Sequence, residues 1–241
     1  ALTRKAIIAH QGERIKLTYD GVITSLQMDT ADVAHTTMNT VDLDFSNNPN
    51  VTAATTKLTD DVKLYDVRLD IEKTDMETLK LLGAKFDVTV GGTKIKFIKS
   101  ANGDQYTAVK ARSAQDVNSV DSISVGYDDN GTVKPVTING LAADNSGATV
   151  YTFTETQAPE GYILGANPVT FTVTLTPKDA NSDGTVDGVE AAVDAGTFGN
   201  FVSTSNTNAP VSGHEFNVGQ VTVKNTKNIS DLPQTGGTIS K

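Results

Sequence analysis

The sequence predicts an all-β protein made of β-sandwiches, and three observations carry that prediction. Apolar residues alternate with polar ones along many short runs, the period-two pattern of strands buried on one face. Turn-forming dipeptides separate the runs. Aromatic residues are only 6% of the chain and Trp is absent, while Thr, Val, Asp, Asn and Gly are abundant, a balance that suits twisted strands joined by polar turns. The regular recurrence of Val, Ile, Leu and Phe also excludes a disordered chain.

The elements follow in order. Ile15, Leu17 and Tyr19 share one face of a first run, and Val41, Leu43 and Phe45 one face of the next. Val67, Leu69 and Ile71 come third, then Phe86, Val88 and Val90, then Ile95 and Phe97. Later runs place Val136 with Ile138, Tyr151 with Phe153, Val169 with Phe171, Val173 and Leu175, and Val221 with Val223. Asn48-Pro49, Gly91-Gly92, Asn102-Gly103, Asn130-Gly131, Asn139-Gly140 and Pro159-Glu160-Gly161 are the expected turns between them. Many short strands so punctuated argue for sandwiches rather than an open sheet.

The 241 residues suffice for one large or two modest domains. A boundary is expected near Asp66. Segment 1–66 has too few strands for a whole sandwich and reads as the last half of a domain whose first strands are missing. Segment 67–228 is long for one sandwich, so insertions are expected near 99–120 and 177–215. The second is polar and rich in Gly and Asn, with a short helical candidate at 189–195. Residues 229–241 read as a flexible tail. The abrupt ends read as those of a mature or trimmed fragment, with neither a signal peptide nor a membrane-spanning apolar run in the sequence.

The net charge of −9 repels phosphate backbones and argues against nucleic acid as a partner. There is no Cys. A secreted domain of this size often carries disulfides, so a chain without them is either cytosolic or stabilised by another means. The three His residues, His10, His35 and His214, are far apart in sequence and are not read as zinc ligands.

Strand phase singles out three polar residues. Lys73 continues the face of Val67, Leu69 and Ile71; Glu155 continues that of Tyr151 and Phe153; Asn225 continues that of Val221 and Val223. A buried unpaired charge is costly, so these groups either meet one another or cap their strands at the solvated rim. If they meet, chemistry follows. Burial favours a neutral Lys amine and a protonated Glu. A neutral amine is a nucleophile toward the Asn amide carbon, and Glu155 can shuttle the protons as ammonia leaves. The product would be a Lys–Asn isopeptide bond between the first and last strands, doing the work of a disulfide without an oxidant.

The same residues carry a family resemblance. Glu155-Thr156-Gln157-Ala158-Pro159-Glu160-Gly161-Tyr162 resembles the E-box of Gram-positive pilins. Lys73-Thr74-Asp75 with Leu82-Gly83-Ala84-Lys85-Phe86 resembles the opening strand and turn of the B-type domain of pilins and collagen-binding adhesins, and Val223-Lys224-Asn225-Thr226-Lys227 its closing strand. The resemblance implies an immunoglobulin-like sandwich over 67–228, a self-made Lys73–Asn225 bond and Glu155 as its catalytic acid. Segment 1–66 is similar to the last strands of a preceding A-type pilin domain, through Asn39-Thr40-Val41, Phe45-Ser46-Asn47-Asn48-Pro49 and Asp60-Asp61-Val62. There an Asn bonds a Lys on the domain's first strand. Asn39 and Asn47 both have the right phase; Asn47 is preferred, with its Lys partner expected outside this chain.

Leu232-Pro233-Gln234-Thr235-Gly236 matches the LPxTG sorting signal of such proteins. The resemblance implies cleavage by a sortase between Thr235 and Gly236 and transfer of the Thr235 carbonyl to an amine, on a neighbouring pilin subunit or on peptidoglycan. The apolar helix and basic end that follow this signal in the family are absent from the sequence, and so is the motif with the polymerising lysine. The precursor is therefore expected to be truncated. The implied location is the cell wall or pilus of a Gram-positive bacterium.

Asp179, Asn181, Asp183, Gly184, Thr185, Asp187 and Glu190 fit the spacing of an EF-hand calcium loop, with 189–195 as the exiting helix. The alternative is a solvated acidic turn between strands. No other cofactor is called for. Three functions are then in play. A structural pilin comes first. A singly wall-anchored adhesin binding a host-surface ligand comes second, with 177–215 as its candidate insertion. A wall-anchored enzyme comes last, because the sequence offers no nucleophile–base pair or phosphate loop; Glu155 would act once, on its own chain.

Overall fold

The computed structural model describes residues 34–46, 55–109, 119–126, 132, 134–144, 146–179, 181–184, 186, 188–205 and 220–233. Nearly all regular structure among them is strand. The chain order is β1 (Ala34–Ser46), β2 (Thr55–Asp75), β3 (Ala84–Val90), β4 (Thr93–Lys94), β5 (Lys96–Lys99), β6 (Gln105–Val109) and β7 (Ser119–Val120). There follow β8 (Ile123–Val125), β9 (Val136–Ala142), β10 (Thr149–Gln157), β11 (Thr170–Lys178), β12 (Gly188–Asp194), β13 (Val202–Ser205) and β14 (Gln220–Asn225). Two sheets form an immunoglobulin-like sandwich. One runs β13-β14-β2-β9-β6-β5-β7, with β1 also on β2; the other runs β12-β11-β10-β3-β4, with β8 on β3. The β2–β14 and β6–β9 pairs are parallel and the rest antiparallel.

From Val67 onward, the alternation read from sequence is the inward face; Val41 and Leu43 are instead exposed, and Ile15, Leu17 and Tyr19 lie outside the described residues. Val67, Leu69, Ile71, Phe86, Val88, Phe97, Ile138, Phe153, Phe171, Val173, Leu175, Val221 and Val223 are all buried in one core. Phe171 anchors it. Its ring stacks on Phe153 at 4.8 Å and meets Phe86 edge-on at 6.3 Å, contacts that add to the area buried by each ring. Gly91 and Gly92, both at positive φ (56° and 77°), make the tight β3–β4 hairpin, as a two-residue loop of the primed type requires.

Two details depart from the sequence reading, and two more bear on the expected division of the chain. The boundary expected near Asp66 falls inside β2, one continuous strand. Its first half pairs with β1, from Ser46↔Thr55 to Ala34↔Val67; pairing with β9 begins at Asp66↔Ala142, and the second half sits between β9 and β14. Asn139-Gly140, expected as a turn, lies within β9. Gly140 takes a φ of 75° there, where the β2–β9 register slips, so this is a β-bulge. The 189–195 helix is instead strand β12, paired with β11 from Lys178↔Gly188 to Thr172↔Asp194. Val189 and Ala191 are buried two residues apart, and that period-two burial outweighs helix propensity. Finally, the segments expected as insertions supply strands: 99–120 holds β6 and β7, and 177–215 holds β12 and β13.

Candidate functional site

Lys73, Glu155 and Asn225 meet in the core. Lys73 sits on β2 and Asn225 ends β14, its parallel neighbour in the same sheet. Glu155 arrives from β10 in the facing sheet. A bulge follows it, since Glu155 pairs with Phe86 and Gln157 with Lys85, so the strand bends where its polar residue turns inward. The three residues are 0%, 1% and 2% exposed.

The Lys73 amine donates a hydrogen bond to Asn225 Oδ1 and a longer one, 3.4 Å, to the Val223 carbonyl. Its Nζ lies 3.7 Å from Glu155 Oε1. Both Glu155 carboxyl oxygens and the Asn225 Nδ2 are buried without a hydrogen-bond partner. Buried polar atoms are nearly always satisfied, and the exceptions cluster where chemistry is done. Burial lowers the Lys73 pKa to about 8, with the Glu155 charge opposing. Burial raises that of Glu155, with Lys73 opposing. Both shifts favour the uncharged forms, so one proton held on the carboxyl rather than the amine leaves a neutral nucleophile against an amide.

The loop after Glu155 closes over this end of the sandwich. Tyr162 N–H donates to the Pro159 carbonyl at 3.1 Å, with Gly161 at φ 80°, where a type II turn needs glycine. The Tyr162 hydroxyl donates to Asp75 Oδ2 at 2.6 Å, and the Ile163 N–H to the Thr226 carbonyl at 3.1 Å. Asp75 Oδ1 accepts from the Glu77 and Thr78 N–H groups. These donors, the Tyr162 hydroxyl foremost, hold the Asp75 carboxyl well below the usual carboxylate range, and Asp75 in turn pushes Tyr162 up to about 12. Sequence reasoning gave Asp75 no role, although it continues the Val67–Lys73 phase and precedes a turn.

The other expected site residues do not join this cluster. Between β11 and β12, Asp179 accepts from the N–H groups of Asp183 and Gly184, and Asn181 Oδ1 also accepts from Asp183 N–H. Glu190 lies on β12 and pairs with Lys178. Among the described residues no group of three or more His, Asp or Glu side chains is gathered as a metal would need; Thr185 and Asp187 lie outside the described residues. At the C-terminal end, a short turn of 3₁₀ helix at Ile229–Asp231 is capped by the Asn228 side chain, and Leu232 packs against the core. Asn47, Gln234, Thr235 and Gly236 lie outside the described residues.

A family model described as the SpaA prealbumin-like fold domain matches residues 67–190, more than half of the chain. The chain belongs to that family. The matched stretch of this SpaA-type chain contains Lys73 and Glu155 but stops short of β14 and Asn225. Among solved structures, it is similar to the C-terminal fragment of a major pilin of Streptococcus agalactiae (22% identity, 57% of this chain and 45% of that one, TM-score 0.39). It is also similar to the major pilin SpaD of Corynebacterium diphtheriae (19%, 80% and 40%, TM-score 0.41). A third likeness is to the C-terminal domain of the shaft pilin SpaA of Lactobacillus rhamnosus GG (24%, 44% and 86%, TM-score 0.29). The SpaA-type chain thus spans less than half the length of the first two. No curated protein matches it in sequence.

Proposed function

We propose that this chain is a structural subunit of a Gram-positive cell-surface pilus, held by a self-made Lys73–Asn225 isopeptide bond. A sortase joins it through Leu232-Pro233-Gln234-Thr235-Gly236 to a neighbouring subunit or to peptidoglycan. The observation that carries the reading is the buried Lys73–Asn225 contact beside a Glu155 carboxyl without a hydrogen-bond partner.

In the reaction, the neutral Lys73 amine attacks Asn225 Cγ while protonated Glu155 polarises the amide. As the Nζ–Cγ bond forms, Glu155 gives its proton to Asn225 Oδ1 and, now a carboxylate, takes one proton from Nζ. It passes that proton to Nδ2; the Cγ–Nδ2 bond breaks, ammonia leaves, and the re-forming carbonyl returns the Oδ1 proton to Glu155. The exclusion of water that strains the charged forms also holds the three groups in attack geometry. The β1–β2 ribbon ahead of the sandwich is, in this reading, part of a preceding A-type pilin domain.

Intact mass tests the crosslink. The wild-type chain is expected to weigh less than its sequence by one ammonia, and Lys73→Ala, Glu155→Ala and Asn225→Ala are each expected to lack that loss. A wild-type mass equal to the unmodified sequence rejects the bond. Incubation with a purified sortase and an amine nucleophile tests the tail, with Thr235→Ala as the unreactive control.

A further inference from the structure

Asn225 does not lie opposite Lys73. In the β2–β14 register Lys73 faces Val223, and Asn225 faces Asp75. The lysine must therefore reach forward by two residues, about 6–7 Å along the strand. Slippage of β14 by one residue would turn the amide out of the core, and slippage by two would carry it beyond the amine. The reaction depends on the axial register of two parallel strand ends, and parallel pairs cannot be set by a hairpin turn.

Tyr162 touches both strand exits. Its hydroxyl donates to Asp75, two residues after Lys73, at 2.6 Å. The ammonium of Lys227, two residues after Asn225, lies over its ring at 4.8 Å, within cation–π range. Next to it, Ile163 N–H donates to the Thr226 carbonyl, and Met76 N–H to the Asn225 carbonyl at 2.9 Å. Tyr162 thus engages a side chain at the end of β2 and one just beyond the end of β14.

We infer that Tyr162 is a positioning residue for the Lys73–Asn225 reaction, a clasp that sets the register of β2 against β14 before the bond forms. This rests on the crosslink reading above. The clasp acts on the approach of amine to amide and takes no part in proton transfer. Once the bond exists the strands are fixed, and the clasp becomes redundant.

The test follows newly made full-length chain in a translation reaction stopped at intervals, scoring ammonia loss by intact mass. Tyr162→Phe keeps the ring and removes the hydroxyl; it is expected to slow bond formation about tenfold, the scale of a modest misalignment, and to reach the same final mass. Asp75→Asn is expected to slow it similarly, and the double variant no further than either single one. In a Lys73→Ala background, where no bond forms, Tyr162→Phe is expected to lower the melting temperature by only about 2–4 °C, the scale of one hydrogen bond. A wild-type rate in Tyr162→Phe overturns the clasp and leaves the crosslink standing. A slower rate with a much larger fall in melting temperature in that background makes the role merely structural and also overturns it. A wild type that never loses ammonia removes both readings.

Discussion

Two polar constellations stand out in the sequence, and the fold treats them oppositely. Lys73, Glu155 and Asn225 are scattered over 152 positions yet converge in the core, with three polar atoms left without hydrogen bonds. Asp179, Asn181 and Glu190 are close in sequence to Asp183, yet the oxygens of these three serve the backbone of the loop or a neighbouring lysine. The difference lies in what each pattern measures. Strand phase reports which face a side chain takes, and the core enforces that face. Loop spacing reports ligand order only if the flanking elements have the assumed geometry, and here the exit is a strand.

The largest expected effect tests whether the buried cluster alone holds the domain. Removing the crosslink by Lys73→Ala is expected to cost about 4–5 kcal/mol in guanidinium unfolding, the scale of a covalent link closing a loop of more than a hundred residues. A loss near that of an ordinary surface change would collapse the contrast between the two sites.

A middle effect depends on pH. In Glu155→Ala no bond forms and Lys73 stays buried as a free amine. Its folded pKa lies below 10.5, so the unfolded chain binds the extra proton and stability rises with pH. Because Glu155 no longer opposes the effect of burial, the rise is expected to start below pH 8 and to end near 10.5, amounting to at least about 3 kcal/mol. It should be read as the difference between Glu155→Ala and the Lys73→Met/Glu155→Ala double variant in urea midpoints. A flat difference would place Lys73 in water.

The smallest effect concerns the loop. Asp179→Ala removes the acceptor for two N–H groups at an exposed turn and is expected to cost about 1 kcal/mol. Chelator or added calcium is expected to leave the melting temperature of the wild type unchanged; a calcium-dependent rise would put the loop among true cation sites.

Much of this was legible in advance, for identifiable reasons. Phe153, Phe171 and Val223 declared their faces because a sheet side chain has two choices. Lys73, Glu155 and Asn225 were legible by the same rule, as polar interruptions of an apolar row. The β12 strand was misread because Val189-Glu190-Ala191-Ala192-Val193 suits either period, and only its pairing with β11 decides. The Gly140 bulge looked like a turn because both need a positive φ. The Tyr162–Asp75 contact joins positions 87 apart, and no local pattern encodes it. Val41 and Leu43 alternate as core residues do, yet are 47% and 55% exposed on the β1–β2 ribbon; alternation gives a face but not what covers it.

The parallel pairing of β2 with β14 has a mechanical consequence. The chain comes in along β2 and goes out past Asn225, so tugging its two ends apart drags these neighbours in opposite directions and loads their hydrogen bonds together in shear. With the proposed Lys73–Asn225 bond in place, the pull would cross from one strand to the other at that point. Everything between the two residues would then be bypassed, and the sandwich could be stretched only at its ends.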